Sequence, residues 1–285
     1  MTELRDIPAP AKLNLFLHIT GRRPDGYHLL QSVFMLIDWQ DTLDFRLQAD
    51  GRITRSDADQ HSQLPAEDLC VRAARKLQQA TGCTLGAHIH LHKQIPSEAG
   101  MGGGSSDAAS CLLALNRLWD LRLSPQQLAA IGLELGADVP FFLFGRNAWV
   151  EGIGEQLQAV ELPPARFLVV KPEEGAPTGK IFTDPALKRD TSAATIADFV
   201  ASTSPYQYGR NDLQPVAQGL CPSVTQALSW LQQHQLQGRM TGSGTAVFAE
   251  LPTSFQSADL QQPATKNWKI RVCSNMALHP LLQWR

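Results

Sequence analysis

Glycine and serine are concentrated in one short segment in the first half of the sequence. Residues 100–106 read Gly-Met-Gly-Gly-Gly-Ser-Ser, after a strand-like alternation at 88–92 and before a stretch with the apolar spacing of a helix. Such a layout can bind an anion, because glycine lets backbone N–H groups approach an oxyanion and the first helical turn adds unpaired donors. Residues 96–106 therefore predict a phosphate-binding loop, with Ser105 or Ser106 capping the helix.

This segment matches neither of two common nucleotide-binding motifs. No Gly-Lys-Ser or Gly-Lys-Thr closes it, as a Walker A loop requires. Ser105 stands where the dinucleotide fingerprint needs its last glycine, which weakens the dinucleotide interpretation. Three adjacent glycines could also serve only a tight turn, and that interpretation stays open beside the phosphate loop.

Two charged residues could complete a site for phosphoryl transfer. This chemistry needs positive charge at the phosphates and an aligned hydroxyl, whose proton a carboxylate can accept. Lys12 projects from a predicted strand, and Asp138 follows a predicted helix, before the apolar sequence Val-Pro-Phe-Phe. Taken alone, a strand lysine usually faces solvent and an aspartate after a helix is usually a turn residue. Because both residues occur together with the glycine-rich loop, the sequence favours a kinase that phosphorylates a hydroxyl of a small molecule.

The elements that must position these residues follow from periodicity and from turn signals. Residues 11–19 alternate as a strand, and residues 68–80 and those after the loop have helical spacing. Glycine and proline return at 152–164, so we predict two domains, 1–155 and 156–285. One face of the first strand is predicted to carry Lys12, Asn14, Phe16 and His18.

Composition excludes several classes of protein. The formal net charge is −2 and basic residues are scattered, which argues against nucleic acid as a partner. No apolar run approaches the ~18 residues of a membrane span, and the first residues resemble no targeting signal, so we expect a cytoplasmic protein. Five widely spaced cysteines without a Cys-x-x-Cys predict neither disulfides nor a zinc site. Histidines 88, 90 and 92 share a strand face, but same-face neighbours lie ~7 Å apart, so no metal site is predicted.

Three segments resemble, in order and spacing, the signature motifs of the GHMP kinase superfamily. They are Pro-Ala-Pro-Ala-Lys-Leu-Asn at 8–14, the loop at 96–109, and Thr-Gly-Ser-Gly-Thr at 241–245. The resemblance spans nearly the whole chain. It implies a two-domain α/β and α+β fold, with an N-terminal domain like ribosomal protein S5 domain 2, a ferredoxin-like C-terminal domain, and substrates in the cleft between them. It also implies ATP and Mg²⁺, the metal being carried with ATP.

The resemblance assigns roles to particular residues. Lys12 and Asp138 match the catalytic pair of the family. The implied ATP-binding residues are Lys93, Pro96, Ser97, Glu98, Ala99, Gly100, Met101, Gly102, Gly103, Gly104, Ser105 and Ser106. The implied substrate-binding residues are Asn14, Tyr27, His28, Thr178, Phe182, Gly242, Ser243 and Gly244. For the segment at 241–245, an ordinary turn between two elements remains the alternative.

Within the superfamily, residues 11–28 and 135–142 are similar to members that phosphorylate the 2-hydroxyl of 4-diphosphocytidyl-2-C-methyl-D-erythritol in the non-mevalonate route to isoprenoid precursors. The resemblance implies that Tyr27 and His28 recognise the cytosine and that Phe182 covers it. Two residues depart from the family pattern, namely Asp68 in place of an asparagine and Met101 in place of a leucine.

Several alternatives stay open. The chain could be another small-molecule kinase of the superfamily, of the homoserine or mevalonate type, or a nucleotide-binding sensor without turnover. A monomer and a homodimer are equally compatible with the sequence.

Overall fold

The computed structural model describes residues 1–58, 64–256, 260 and 267–284. The strands, in chain order, are β1 (Glu3–Arg22), β2 (His28–Gln48), β3 (Ile53–Asp57), β4 (Gly86–His92), β5 (Ala148–Glu151), β6 (Gln156–Ala159), β7 (Arg166–Lys171), β8 (Arg239–Met240), β9 (Val247–Leu251) and β10 (Lys269–Met276). The helices are α1 (Leu69–Thr81), α2 (Gly103–Leu118), α3 (Pro125–Leu135), α4 (Val139–Phe144), α5 (Thr178–Thr183), α6 (Ile196–Val200), α7 (Gln214–Leu220) and α8 (Pro222–Gln233).

The strands form one mixed sheet with the order β3-β4-β2-β10-β7-β9-β8. Strands β1 and β5 also pair with β2, and β6 pairs with β5. Strand β10 joins the two halves of the sheet, because Asn275 and Met276 pair with β2 while the preceding residues pair with β7. The predicted domain boundary after residue 155 falls inside the β5-β6 hairpin and stays a prediction.

Apolar residues of the helices pack against both halves of the sheet. Helices α1 to α4 bury residues such as Leu77, Leu112 and Phe141 against β2 and β4, in the largest core cluster. A second cluster lies beneath α7 and α8, where Val224 and Leu231 meet residues of β7 and β9. The helices in the first half of the chain thus form a layer on the sheet, and this layer places the N-terminus of α2 next to β1.

Strand β1 changes the face that it presents midway along its length. Asn14 pairs with Phe34, whereas Leu17 pairs with Ser32, so an extra residue is accommodated between these two pairs. Since side chains alternate along β2, Asn14 and Leu17 share a face, and Phe16 and His18 lie on the other. The prediction of one face for Lys12, Asn14, Phe16 and His18 is therefore wrong beyond Asn14, because the bulge reverses the alternation.

Candidate active site

The glycine-rich loop joins β4 to α2 through three left-handed backbone positions. Glu98, Gly100 and Gly102 have φ angles of 52°, 72° and 70°. Helix α2 begins at Gly103, and its N-cap is Gly102, without a side-chain cap. The predicted serine cap is wrong, because both serines lie in the first turn and the hydroxyl of Ser106 donates to the carbonyl of Pro10 at 2.7 Å. A glycine cap leaves the first N–H groups of the helix for a ligand.

A second glycine-rich segment, residues 241–245, interlocks with this loop. A Cβ atom on Gly244 would lie 2.0 Å from the backbone nitrogen of Gly100, and one on Gly100 would lie 2.2 Å from the carbonyl oxygen of Thr241. The N–H of Asn14 in β1 donates to the hydroxyl of Thr241 at 2.8 Å. The segment therefore supports the loop through backbone contact that no larger residue permits.

A cavity of about 580 Å³ opens along the loop, and we call it the loop cavity. Every residue that the sequence assigned to ATP lines it except Ser106, whose side chain is buried beneath the loop. Asp68 lines it too, but its carboxylate accepts from the N–H of Val71 and pairs with Arg55 at 3.0 Å. The aspartate that stands here in place of the family's asparagine thus caps α1 and binds a neighbouring arginine.

Two buried carboxylates hold the ends of the loop. Asp41 accepts the N–H of Ile95 at 2.8 Å and binds the ammonium of Lys93. Lys93 also donates to Asp107, in the second turn of α2, at 2.7 Å. Burial raises the pKa of Asp107 to about 8, although the Lys93 ammonium opposes the shift. Lys93 therefore has its charge compensated inside the protein, and it ties the strand before the loop to the helix after it.

Sequence reasoning missed Asp41 and Asp107 as contributors to this site. Asp41 lies far along the chain from the loop, in β2, and no local pattern connects the two. Asp107 follows the glycine-rich segment directly, so its position was visible, but its partners were not.

A second cavity, of about 630 Å³, contains Lys12, and we call it the Lys12 cavity. It shares Gly100, Gly102 and Thr178 with the loop cavity, so a group held by the loop can meet a group in the second cavity. Apart from Gly244, all residues that the sequence assigned to catalysis or to the substrate line it, namely Lys12, Asn14, Tyr27, His28, Asp138, Thr178, Phe182, Gly242 and Ser243.

Lys12 and Asp138 form an ion pair on the wall of the Lys12 cavity. The ammonium nitrogen lies 3.5 Å from Oδ2 of Asp138, and it also lies 4.6 Å from the centroid of the Phe34 ring. The lysine side chain is 4% exposed and the aspartate side chain 32%. Burial lowers the pKa of Lys12, and the charge of Asp138 opposes this shift. The lysine is therefore held in place, while the carboxylate remains open to a ligand.

The carboxylate of Asp138 does not serve its own helix. Asp138 is the N-cap residue of α4, yet its side chain makes no capping hydrogen bond. On the other side of Lys12, the amide oxygen of Asn14 accepts from the ammonium, and its Nδ2 donates to the hydroxyl of Ser32 at 3.0 Å. The ordinary explanations, a turn aspartate and a solvent-facing lysine, therefore do not describe this pair.

Aromatic rings stand at the outer end of the Lys12 cavity. The rings of His28 and Phe182 lie 5.2 Å apart between centroids, and the side chain of Tyr27 is largely exposed. Nearby, the hydroxyl groups of Thr178 and Ser243 are 3.0 Å apart. An exposed aromatic residue beside a tilted pair of rings offers flat apolar surface for a planar ligand.

Two of the three alternating histidines of β4 form hydrogen bonds with β3, and Nε2 of the third, His92, lies 3.4 Å from Oδ2 of Asp44. His88 bonds the hydroxyls of Thr54 and Ser56, and His90 bonds Ser56 as well. Within the described ranges, no three histidine, cysteine or acidic side chains are grouped to hold a metal ion. Nor does any helix in the same part of the chain have the length and apolar character needed to cross a membrane.

Two family descriptions match the chain. The "GHMP kinases N terminal domain" matches residues 68–146, and "GHMP kinases C terminal" matches residues 193–270. Together these segments cover more than half of the sequence, on both sides of the predicted boundary.

Known proteins resemble the chain over its full length. The 4-diphosphocytidyl-2-C-methyl-D-erythritol kinase of Polaromonas naphthalenivorans is 64% identical over 99% of this chain and 96% of its own, and that of Acidovorax ebreus is 62% identical over 100% and 99%. A crystal structure of 4-(cytidine 5'-diphospho)-2C-methyl-D-erythritol kinase superposes with a TM-score of 0.77 at 30% identity, covering 96% of this chain and 98% of that one. Homoserine kinase from Cytophaga hutchinsonii, at 16% identity and a TM-score of 0.71 over 98% and 96%, shares the fold.

Proposed function

Because the chain belongs to the 4-diphosphocytidyl-2-C-methyl-D-erythritol kinases of the GHMP kinase family, we propose that the loop cavity binds ATP and that the Lys12 cavity binds the acceptor alcohol. The enzyme is an ATP-dependent phosphotransferase with an alcohol acceptor, the 2-hydroxyl of 4-diphosphocytidyl-2-C-methyl-D-erythritol, in the non-mevalonate route to isoprenoid precursors. The family and the two-domain fold predicted from three motifs are confirmed.

The observation that carries the residue assignments is the Lys12–Asp138 ion pair beside the residues that both cavities share. A phosphoryl group presented by the glycine-rich loop would meet an acceptor hydroxyl there. Asp138 would orient the hydroxyl and accept its proton. Lys12 would stabilise the charge that develops on the transferred phosphoryl group. Asn14, held by Ser32, would keep the ammonium aimed at this point.

The backbone of the loop would hold the phosphates of ATP. Its contribution is the set of N–H groups at the start of α2, which no side chain caps. Mg²⁺ would enter with ATP, since this ion commonly binds phosphate oxygens together with one or two protein carboxylates, and it would neutralise phosphate charge. Glu98, on the wall of the loop cavity, is a carboxylate of the type that completes such a site.

Tyr27, His28 and Phe182 would receive the cytosine of the acceptor. They lie in the same cavity as Lys12, at the end where aromatic surface is exposed. Stacking on an aromatic ring contributes about 1–3 kcal/mol per base. The cytoplasmic location, the monomeric or homodimeric state and the domain boundary after residue 155 stay predictions.

The decisive experiment is Mg²⁺-dependent release of ADP with 4-diphosphocytidyl-2-C-methyl-D-erythritol as acceptor. Asp138→Asn and Lys12→Met are expected to lower kcat by roughly a hundredfold or more, because one removes the base and the other the charge at the transferred group. Asp120→Asn and Lys76→Met, in exposed ion pairs away from both cavities, serve as matched controls and should retain full activity.

Each contrary result has a distinct meaning. If the wild type released ADP with homoserine or mevalonate but not with the cytidine-containing acceptor, the substrate assignment would be wrong. If Asp138→Asn kept wild-type kcat, the substrate would stand and the role given to Asp138 would fall.

A further inference from the structure

Arg189, which lies outside every motif in the sequence, joins two walls of the Lys12 cavity. Its Nε donates to Nε2 of His28 at 3.1 Å. Its Nη2 donates to the carbonyls of Phe182 at 3.1 Å and Asp184 at 2.8 Å, and its Nη1 donates to that of Leu187 at 3.0 Å. Three backbone acceptors in the last turn of α5 and the segment after it therefore hold the guanidinium in one orientation, with Nε directed at the histidine ring.

This contact determines which nitrogen of His28 carries a proton. An arginine guanidinium has donors only, so the ring nitrogen that faces it must accept. A neutral imidazole with an accepting Nε2 carries its hydrogen on Nδ1. Burial, together with the positive charges of Arg189 and Arg22, lowers the pKa of His28, which is consistent with a neutral ring. Among the described residues, Nδ1 of His28 has no hydrogen-bond partner.

We propose that Arg189 is a positioning residue that locks His28 in the Nδ1–H tautomer, so that the ring presents a hydrogen-bond donor to the pyrimidine base of the acceptor. The assignment of a base to this end of the cavity rests on the proposed function. The tautomer itself rests only on the contact between Arg189 and His28.

A donor at this place gives the site a means of choosing between bases. The N3 atom of cytosine accepts a hydrogen bond, whereas that of uracil is an N–H donor and would meet the Nδ1–H of His28 as a second donor. A site built to make a hydrogen bond rejects a ligand that leaves its polar group unpaired. If either tautomer were accessible, the ring could turn an acceptor towards uracil, and this discrimination would weaken.

The first arm of the test observes the tautomer directly. Ring ¹⁵N chemical shifts distinguish protonated from unprotonated nitrogen, and the signals of His28 are those lost in His28→Gln. We expect a protonated Nδ1 and an unprotonated Nε2 in the wild type near neutral pH, and a mixture of tautomers in Arg189→Met. Lys188→Met removes a positive charge from the adjacent exposed residue and should leave the wild-type signals. A proton on Nε2 in the wild type, or an unchanged tautomer in Arg189→Met, would overturn the proposal.

The second arm measures selectivity. Arg189→Met should raise the KM for the cytidine-containing acceptor by roughly tenfold, while the KM for ATP stays within about twofold of wild type. The ratio of kcat/KM between the cytidine acceptor and its uridine analogue should fall by a similar factor. An unchanged ratio with a correctly folded variant would refute the role in base selection. Absence of turnover in the wild type would refute the proposed function instead, and the ¹⁵N signals would still decide the tautomer.

Discussion

The loop cavity and the Lys12 cavity share three residues but are built in different ways. The glycine-rich loop forms much of the wall of the loop cavity, with Gly100 and Gly244 in direct contact and with Lys93 enclosed by two carboxylates. Most of the wall of the Lys12 cavity consists of side chains from β1, β2, α5 and the segments just before β2 and α4, and one of them, Tyr27, is 61% exposed. Where Gly100 meets Gly244, the first region therefore has no room for a larger residue, whereas the second region depends on its side chains for what it recognises.

Addition of one methyl group at Gly244 should disrupt the loop cavity. The resulting loss of activity is the largest that we expect from any change outside the catalytic pair. In Gly244→Ala, the new Cβ would lie 2.0 Å from the nitrogen of Gly100, so the two glycine-rich segments would have to separate. We expect kcat/KM for ATP to fall by roughly a hundredfold and stability to fall by about 1–3 kcal/mol.

The matched control is Gly219→Ala in α7. A Cβ at Gly219 would meet nothing within 4 Å, and the residue lies in a helix, so this variant should keep full activity and gain about 0.5–1 kcal/mol of stability. Wild-type activity in Gly244→Ala would show that the contact between the two segments is not needed for the enzyme to use ATP.

Removal of one ring from the Lys12 cavity should have a smaller and more selective effect. Tyr27→Ala is expected to raise the KM for the cytidine acceptor by roughly tenfold or more, since stacking on a base contributes about 1–3 kcal/mol. The KM for ATP should not change, because Tyr27 does not line the loop cavity. Tyr27→Phe keeps the ring and should behave as the wild type. Equal increases in both KM values for Tyr27→Ala would contradict the separation of the two cavities.

The smallest effect concerns Asp107, and it appears in stability rather than in turnover. Folding raises the pKa of this carboxyl from 3.8 to about 8, so the fold favours the protonated form. The contribution of Asp107 to the free energy of unfolding is fully present below the pKa of the unfolded state, and it is lost as pH rises from about 4 to about 8. Asp107→Asn should remove this pH dependence. The difference in the free energy of unfolding between the wild type and this variant should therefore change by at least about 1 kcal/mol between these pH values, because a shift of one pKa unit is worth about 1.4 kcal/mol.

Chemical denaturation at a series of pH values would measure this difference. Asp120→Asn, at an exposed aspartate, should follow the wild type throughout. A wild-type stability that rises between pH 4 and 8 relative to Asp107→Asn would contradict the raised pKa.

Short-range features of the fold were predictable from the sequence. The spacing of glycines before a helical pattern identified the loop that joins β4 to α2. The start of α2 was predicted three or four residues late, because serines usually cap helices, whereas here Gly102 adopts a left-handed conformation that leaves the N–H groups free. The short helix α5, which carries Phe182, was not among the elements predicted from the sequence.

The sequence alone determined the family, the glycine-rich loop and the identity of Lys12 and Asp138 as candidates, because these depend on residue types at fixed local spacing. Tertiary structure decided which face of β1 carries Leu17, which carboxylates enclose Lys93, and which nitrogen of His28 accepts from Arg189. The physical reason is that a bulge, a buried ion pair and a tautomer are set by partners far apart in the chain. No local pattern of residue types records such partners.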